Sequence, residues 1–262
     1  MNIPSGQQIE LGHHPLAVEA TLRSDIDELE ATLARAAAVL QETQGLRSLA
    51  LANCLEDLGT VRCQFQARYA AGLADLERSV DIWWALPADR RDDFQAAINE
   101  RYLAENLALM GEWDRAAARY RHCLEVLQDR GGPEHYTVAM ARSGFAWVLL
   151  HQGRAAEAEQ EARAALALGE RQSAVMAADQ RMQQRLFLGM ILTERGQYAE
   201  AQSLLEQAWV GEGKADGGGL CWLPANCLLP QRLAEHMLKI CVAQGDAAGE
   251  AHWREVLAAA KK

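Results

Sequence analysis

The chain has 262 residues, half of them hydrophobic, and its 26 basic and 36 acidic side chains give a formal net charge of −10. This balance argues against nucleic acid and against a membrane surface as partners, because both attract clustered Lys and Arg, and the longest basic run is Lys261–Lys262. Alanine and other strong helix formers dominate, and only six prolines interrupt them, which predicts an all-α fold.

The N-terminal residues and the cysteines bear on the cellular compartment. Residues 1–12 have neither a basic region nor an apolar core, so we expect no signal peptide, and no run reaches the roughly 20 apolar residues of a membrane span. Because nothing directs the six cysteines to an oxidising compartment, we expect a reduced, cytoplasmic protein. Cys54, Cys63, Cys123 and Cys241 fall at helical positions and are predicted to be small buried side chains.

A segment that occurs three times, at Leu103–Leu124, Phe145–Leu166 and Leu188–Trp209, carries most of the information. Each copy begins with an apolar residue and a small one, continues to a Gly, and has an Ala five residues after that Gly. The glycines of successive copies are 42 and 43 residues apart. A fixed period of this size predicts a stack of helix pairs in which no pair buries its apolar face alone.

The Gly and the small residues have distinct physical roles in such a pair. Gly196 is predicted to end the first helix in the left-handed conformation that only glycine adopts at low cost. Gly189 would let the two helices of the pair touch, and Ala208 would admit the next repeat.

This spacing resembles the tetratricopeptide repeat family, and the linker at residues 131–139 is similar to that of the longer, 42-residue variety of kinesin light chains. The resemblance implies an all-α, right-handed α-solenoid of about five to six helix-turn-helix repeats in one domain, residues 1–262. Residues 46–210 would hold the central repeats. Residues 1–45 would form a degenerate N-terminal capping repeat, truncated or fused into a longer helix, and residues 231–262 a C-terminal capping helix pair.

Residues 211–230 break the repeat pattern. Their five glycines and two prolines exclude a continuous helix, whereas Leu220, Trp222 and Leu223 are too apolar for a solvated linker. The sequence predicts a Gly-rich turn followed by an apolar stretch that docks on the solenoid. It leaves open whether this insertion is a lid, a plug or a binding element.

Residue combinations that could support catalysis or metal binding are weak. His122 and Glu125 could place two ligands on one helix face, and five residues separate Cys221 from Cys227, but neither pair has the further ligands that zinc needs. Gly217–Gly219 is not followed by the Lys-Ser/Thr of a phosphate-binding loop, and no nucleophile signature is present. We therefore expect no enzyme activity, no catalytic residues, no bound metal and no cofactor.

In the tetratricopeptide family the first helix of each pair lines a concave groove. Carried onto the aligned positions, the resemblance implies that the groove binds a partner through Arg101, Glu105, Ala108, Met140, Ser143, Trp147, His151, Gln183, Leu186, Met190, Glu194, Arg232, Glu235 and Lys239. Spacings of three, four and seven residues put the members of each helix on one stripe. Their mixture of apolar anchors and flanking charges is typical of a surface that binds an amphipathic helix or an extended segment.

The sequence lacks two sets of binding residues known from the family. The Asn and Lys residues of carboxylate-binding members are absent, and the sites of the kinesin-light-chain Asn ladder hold Tyr102, Gly144 and Phe187. Trp147 is the predicted anchor of the partner, with packing against the neighbouring repeat as the alternative. Trp113 is expected in the core.

The expected function is that of a scaffold or adaptor that binds a peptide or a helix of a partner protein in the concave groove. A regulator that senses a small peptide is the alternative within the same class. From another class, an accessory or inhibitory, immunity-like subunit of an enzyme or secretion complex stays open, and so does self-association.

Overall fold

The computed structural model describes residues 15–64, 68–172, 178–212 and 229–259. These residues form eleven α-helices without any β-strand, which confirms the all-α prediction for the part of the chain described. In chain order the helices are α1 (Pro15–Gln44), α2 (Leu49–Gln64), α3 (Tyr69–Ala85), α4 (Asp93–Leu109), α5 (Trp113–Gly131), α6 (Tyr136–His151), α7 (Ala155–Arg171), α8 (Ala178–Glu194), α9 (Tyr198–Glu212), α10 (Leu229–Gln244) and α11 (Ala247–Ala259).

Ten of these helices form five successive pairs, α2–α3, α4–α5, α6–α7, α8–α9 and α10–α11. The second helix of one pair packs on the first helix of the next, as α3 does on α4, α5 on α6 and α7 on α8, which makes the array a solenoid. Helix α1 precedes the pairs and packs on α2. A single 30-residue helix, rather than a helix pair, therefore occupies the described part of the predicted N-terminal repeat.

The turns inside the central pairs follow the predicted chemistry. Gly111, Gly153 and Gly196 have φ angles of 76°, 76° and 74°, the left-handed region in which a side chain would be strained.

Helix α4 begins with a side-chain cap, because the carboxylate of Asp92 accepts a hydrogen bond from the backbone N–H of Gln95 at 3.1 Å.

The core of the solenoid is built from small and branched side chains at the helix contacts. Cys54, Cys63, Cys123 and Cys241 are free and buried, as predicted. Burial raises the pKa of the Cys63 thiol to about 11, which keeps it protonated and unreactive at neutral pH.

The predicted insertion at residues 211–230 lies largely outside the described residues, and so do Cys221 and Cys227. Helix α9 runs to Glu212 and α10 begins at Leu229, so both ends of the predicted insertion are helical. Residues 229–259 form the last helix pair, α10–α11. Across the described helices, none has the length and apolar character needed to cross a membrane.

Candidate partner-binding site

A cavity of about 380 Å³ lies along the first helices of four successive pairs, α4, α6, α8 and α10, with contributions from α3, α5 and the turn between α4 and α5. This volume is within the range of typical ligand pockets. Its lining consists of Tyr69, Arg101, Glu105, Ala108, Leu109, Met110, Gly111, Trp113, Tyr120, Met140, Ser143, Gly144, Trp147, His151, Gln180, Gln183, Gln184, Phe187 and Arg232.

The cavity has a polar floor, by which we mean the side chains of Arg101, Glu105, Ser143 and Gln184. Arg101 is 5% exposed and forms an ion pair of 3.1 Å with Glu105, one helical turn further along α4. Burial raises the pKa of the Glu105 carboxyl, and the guanidinium of Arg101 opposes that rise. Ser143 and Gln184 complete the floor at 6% and 3% exposure.

Aromatic rings form one wall of the cavity and connect three helices. Trp113 at the start of α5 stacks on His151 at the end of α6, with ring centroids 4.1 Å apart and planes 4° apart. Trp147 meets the edge of His151 at 4.2 Å and stacks on Phe187 of α8 at 5.3 Å. Such pairs hold the rings in fixed orientations.

Positive charge exceeds negative charge in the lining. The guanidinium carbon of Arg232 lies 5.0 Å from the centre of the Trp147 ring, and Arg232 forms no ion pair with any residue that the structure describes. Burial lowers the pKa of His151, and the charge of Arg232 lowers it further, so His151 is neutral at pH 7. Within the part of the chain that the structure describes, the cavity therefore presents a cation without a counter-ion, in a protein of net charge −10.

Gly144 is required by the close approach of α5 to α6 at the cavity. A Cβ atom at this position would lie 2.6 Å from Cζ of Tyr120, far inside van der Waals contact. Tyr120 is 2% exposed and lines the cavity because Gly144 leaves room for its ring.

Nine of the residues predicted from the sequence are brought together at this cavity. They are Arg101, Glu105, Ala108, Met140, Ser143, Trp147, His151, Gln183 and Arg232. Trp147 both lines the cavity and packs on the neighbouring repeat through Phe187, so the two interpretations of this residue describe one arrangement.

Leu186 and Met190 are corrections to the predicted groove. They are 3% and 1% exposed and belong to the hydrophobic core rather than to the cavity lining. The cavity meets α8 at Gln180, Gln183, Gln184 and Phe187, which share one helix face near its start, and Leu186 and Met190 lie outside this lining.

Glu194, Glu235 and Lys239 lie outside the cavity. The ammonium of Lys239 on α10 lies 2.7 Å from the Glu194 carboxylate at the end of α8, and Glu235 accepts a hydrogen bond from Gln231 at 2.9 Å. These exposed side chains make surface contacts, one between α8 and α10 and one within α10.

The sequence interpretation missed Tyr120, Gln184 and the position of Trp113. Trp113 was expected in the core, but it is only partly buried and lines the cavity. Gly144, on the inward stripe of α6, could have indicated the position of Tyr120. A glycine there leaves room for a large side chain from the neighbouring helix.

His122 takes part in a hydrogen-bonded cluster rather than a metal site. Its Nδ1 atom lies 2.5 Å from the buried carboxylate of Glu100, which also accepts hydrogen bonds from Trp84 at 3.2 Å and Arg119 at 3.1 Å. In the described part of the chain, no group of three or more His, Cys, Asp or Glu side chains could hold a metal ion.

Comparison with known families identifies the repeats. Residues 94–171 and residues 183–210 each match a tetratricopeptide repeat model. The helix pairs α4–α5, α6–α7 and α8–α9 therefore match tetratricopeptide repeats, and the resemblance drawn from their spacing is confirmed. No curated protein matches the sequence.

Several solved structures share the fold of this chain. BtubC (BKLC) from P. vanneervenii has a TM-score of 0.65 and 18% identity, covering 89% of this chain and 91% of its own. A Podosopora anserina protein described as a kinesin light chain with nearly identical TPR-like repeats has a TM-score of 0.58 and 16% identity, covering 76% and 92%. A Rap protein complexed with competence and sporulation factor has a TM-score of 0.57 and 18% identity, covering 81% and 54%. At these identities the likeness establishes the fold.

Proposed function

We propose that this protein is a non-catalytic interaction scaffold whose cavity binds a peptide or a helical segment of a partner protein, with Trp147 as the anchor. The observation that carries the proposal is the position of Trp147 in the lining. Its ring is held by His151, Phe187 and Arg232, so a ligand in the cavity meets an aromatic side chain that is already oriented, at little cost in side-chain ordering.

Two further features support a binding role. Tetratricopeptide repeats generally serve as protein-binding scaffolds, and the similar Rap structure is complexed with competence and sporulation factor. The cavity combines an apolar wall with a few buried polar groups, the composition typical of recognition sites.

Affinity capture with two baits tests the proposal. The wild-type chain and Trp147→Ala are each immobilised, exposed to native lysate and analysed by quantitative mass spectrometry. At least one protein is expected on the wild type and depleted at least about tenfold on the variant, since truncation of such an anchor typically costs roughly 2 kcal/mol. Identical sets of captured proteins on the two folded baits would contradict the proposal. If the captured protein is an enzyme whose turnover changes on binding, the accessory or inhibitory function is favoured instead.

A further inference from the structure

The side-chain amide of Gln184 is an unusual feature of the cavity floor. It is 3% exposed, and neither its nitrogen nor its oxygen has a hydrogen-bond partner among the residues that the structure describes. An amide buried without a partner destabilises the folded chain, and a ligand or an ordered water molecule that pairs with it removes this cost. In an extended peptide, the backbone N–H and C=O of one residue lie on the same side of the chain, and so complement both atoms.

The guanidinium of Arg232 is the second polar group that a ligand could satisfy. Arg101, the other arginine of the lining, is neutralised by Glu105 at 3.1 Å, whereas among the described residues Arg232 contacts the ring face of Trp147 and has no carboxylate partner. A guanidinium placed over a ring keeps its N–H donors available at its edge, where it binds a carboxylate through two parallel hydrogen bonds. The chemistry that Arg232 favours is therefore that of a carboxylate.

We propose that the cavity binds a peptide that carries a carboxylate, with Arg232 binding the carboxylate, Gln184 the backbone N–H and C=O of a neighbouring residue, and Trp147 with Phe187 an apolar side chain. The carboxylate comes either from the C-terminus of the peptide or from an Asp or Glu side chain. The inference rests on the proposed function, and it uses residues other than the Asn and Lys positions of carboxylate-binding family members.

Four synthetic hexapeptide libraries identify the ligand chemistry and its source. They carry a free C-terminal carboxylate or a carboxamide, each with Asp and Glu either allowed or omitted, and are offered to the full chain. Retained peptides are identified by mass spectrometry, and their Kd values are measured by titration calorimetry. We expect ligands from at least one carboxylate-bearing library, and only ligands at least about tenfold weaker from the carboxamide library without acidic residues.

The pattern of retention separates the outcomes. Retention that requires the free terminus identifies the terminal carboxylate, and retention from the amidated library with Asp and Glu identifies the side chain. Equally tight ligands from the fully neutral library would overturn the inference while leaving the proposed function in place. Failure of all four libraries, with the folded wild-type chain, would overturn peptide binding itself.

Variants then assign the roles of the two residues. Arg232→Gln should weaken the selected acidic peptide at least about tenfold and leave its neutral analogue unchanged. Lys239→Gln is the matched control, because it removes one positive charge from the same helix outside the cavity. An equal loss of affinity in both variants would attribute binding to general charge and contradict a role for Arg232.

Gln184→Leu separates binding from folding. Replacing an unsatisfied buried amide by an apolar side chain of similar size should keep or raise Tm while weakening the peptide at least about tenfold. Thr193→Val on the same helix is the control, because the Thr193 hydroxyl is buried but already donates to the Gly189 carbonyl at 2.8 Å. A Gln184→Leu variant that folds and binds as the wild type does would contradict a role for this amide.

Discussion

Arg101 and Glu105 lie one turn apart on α4 and form an ion pair of 3.1 Å on the cavity floor, with the arginine 5% exposed. Because the guanidinium of Arg101 is buried, the stability of the folded chain depends on the carboxylate that neutralises its charge. Loss of the Glu105 carboxylate should therefore both change the charge of the cavity and destabilise the floor.

Breaking this pair from one side should destabilise the fold. Glu105→Leu leaves the Arg101 guanidinium buried without a counter-ion, and we expect a loss on the order of 3 kcal/mol in the free energy of unfolding, measured by urea denaturation. The double variant Arg101→Met/Glu105→Leu removes both charges and should recover most of that loss. A double variant as unstable as Glu105→Leu alone would show that Arg101 is not the source of the cost.

Gly189 tests the contact between α8 and α9. A Cβ atom at this position would lie 2.8 Å from Cγ of Leu205, so Gly189→Leu overpacks the pair and should cost on the order of 1–3 kcal/mol or more. Gln160→Ala changes an exposed position on α7 and should stay within about 0.5 kcal/mol. Equal losses of Tm in the two variants would show that the close approach is not limiting.

Stability should depend on pH through Glu56. Burial, followed by the negative charge of Asp57, raises the pKa of the Glu56 carboxyl from 4.5 to about 7. An acid whose pKa is raised by folding contributes its stability below its ordinary pKa, and loses it as the pH rises through the folded value. The contribution of Glu56 is thus present at pH 4.5 and lost progressively by pH 7 and above.

Glu56→Gln isolates this effect, because glutamine resembles the protonated acid at every pH. The variant and the wild type should have similar Tm values at pH 5, whereas at pH 8 the variant should be more stable, on the order of 2 kcal/mol. Glu42→Gln, at an exposed position of α1, should track the wild type at both pH values. A constant difference between Glu56→Gln and the wild type from pH 5 to pH 8 would show that Glu56 is ionised in the folded chain throughout.

The fold should require neither metal nor disulfide. The four cysteines within the described residues are buried free thiols, and the hydrophobic core runs through all five helix pairs. Treatment with a chelator and a reductant should therefore leave the circular dichroism spectrum and Tm unchanged. A marked fall in Tm on chelation would reveal a metal site and point to Cys221 and Cys227.

The sequence was sufficient to predict the repeats, because their requirements are local. Gly111, Gly153 and Gly196 recur at one period since each turn needs the same left-handed φ angle. The inward stripes of α4 and α6 were predictable for the same reason, as residues three and four apart share one helix face.

The stripe of α8 could not be predicted by carrying the period forward. The cavity meets α6 at Met140, Ser143 and Trp147, but it meets α8 at positions 40 residues later, Gln180, Gln183 and Phe187, rather than 43. The lining is therefore displaced by nearly one turn towards the start of α8. A sequence period defines equivalent positions within repeats, whereas the height at which a cavity crosses each helix depends on how successive pairs pack.

The most direct test of the central claim is the affinity of the partner or peptide for three chains, the wild type, Trp147→Ala and Trp84→Ala, measured by titration calorimetry. Trp84 is a matched control, since it is also partly buried but lies outside the cavity, donating a hydrogen bond to Glu100 at 3.2 Å. We predict that Trp147→Ala remains helical and raises Kd at least about tenfold, equivalent to about 1.4 kcal/mol, whereas Trp84→Ala binds as the wild type does. A folded Trp147→Ala chain with unchanged Kd would contradict binding at this cavity.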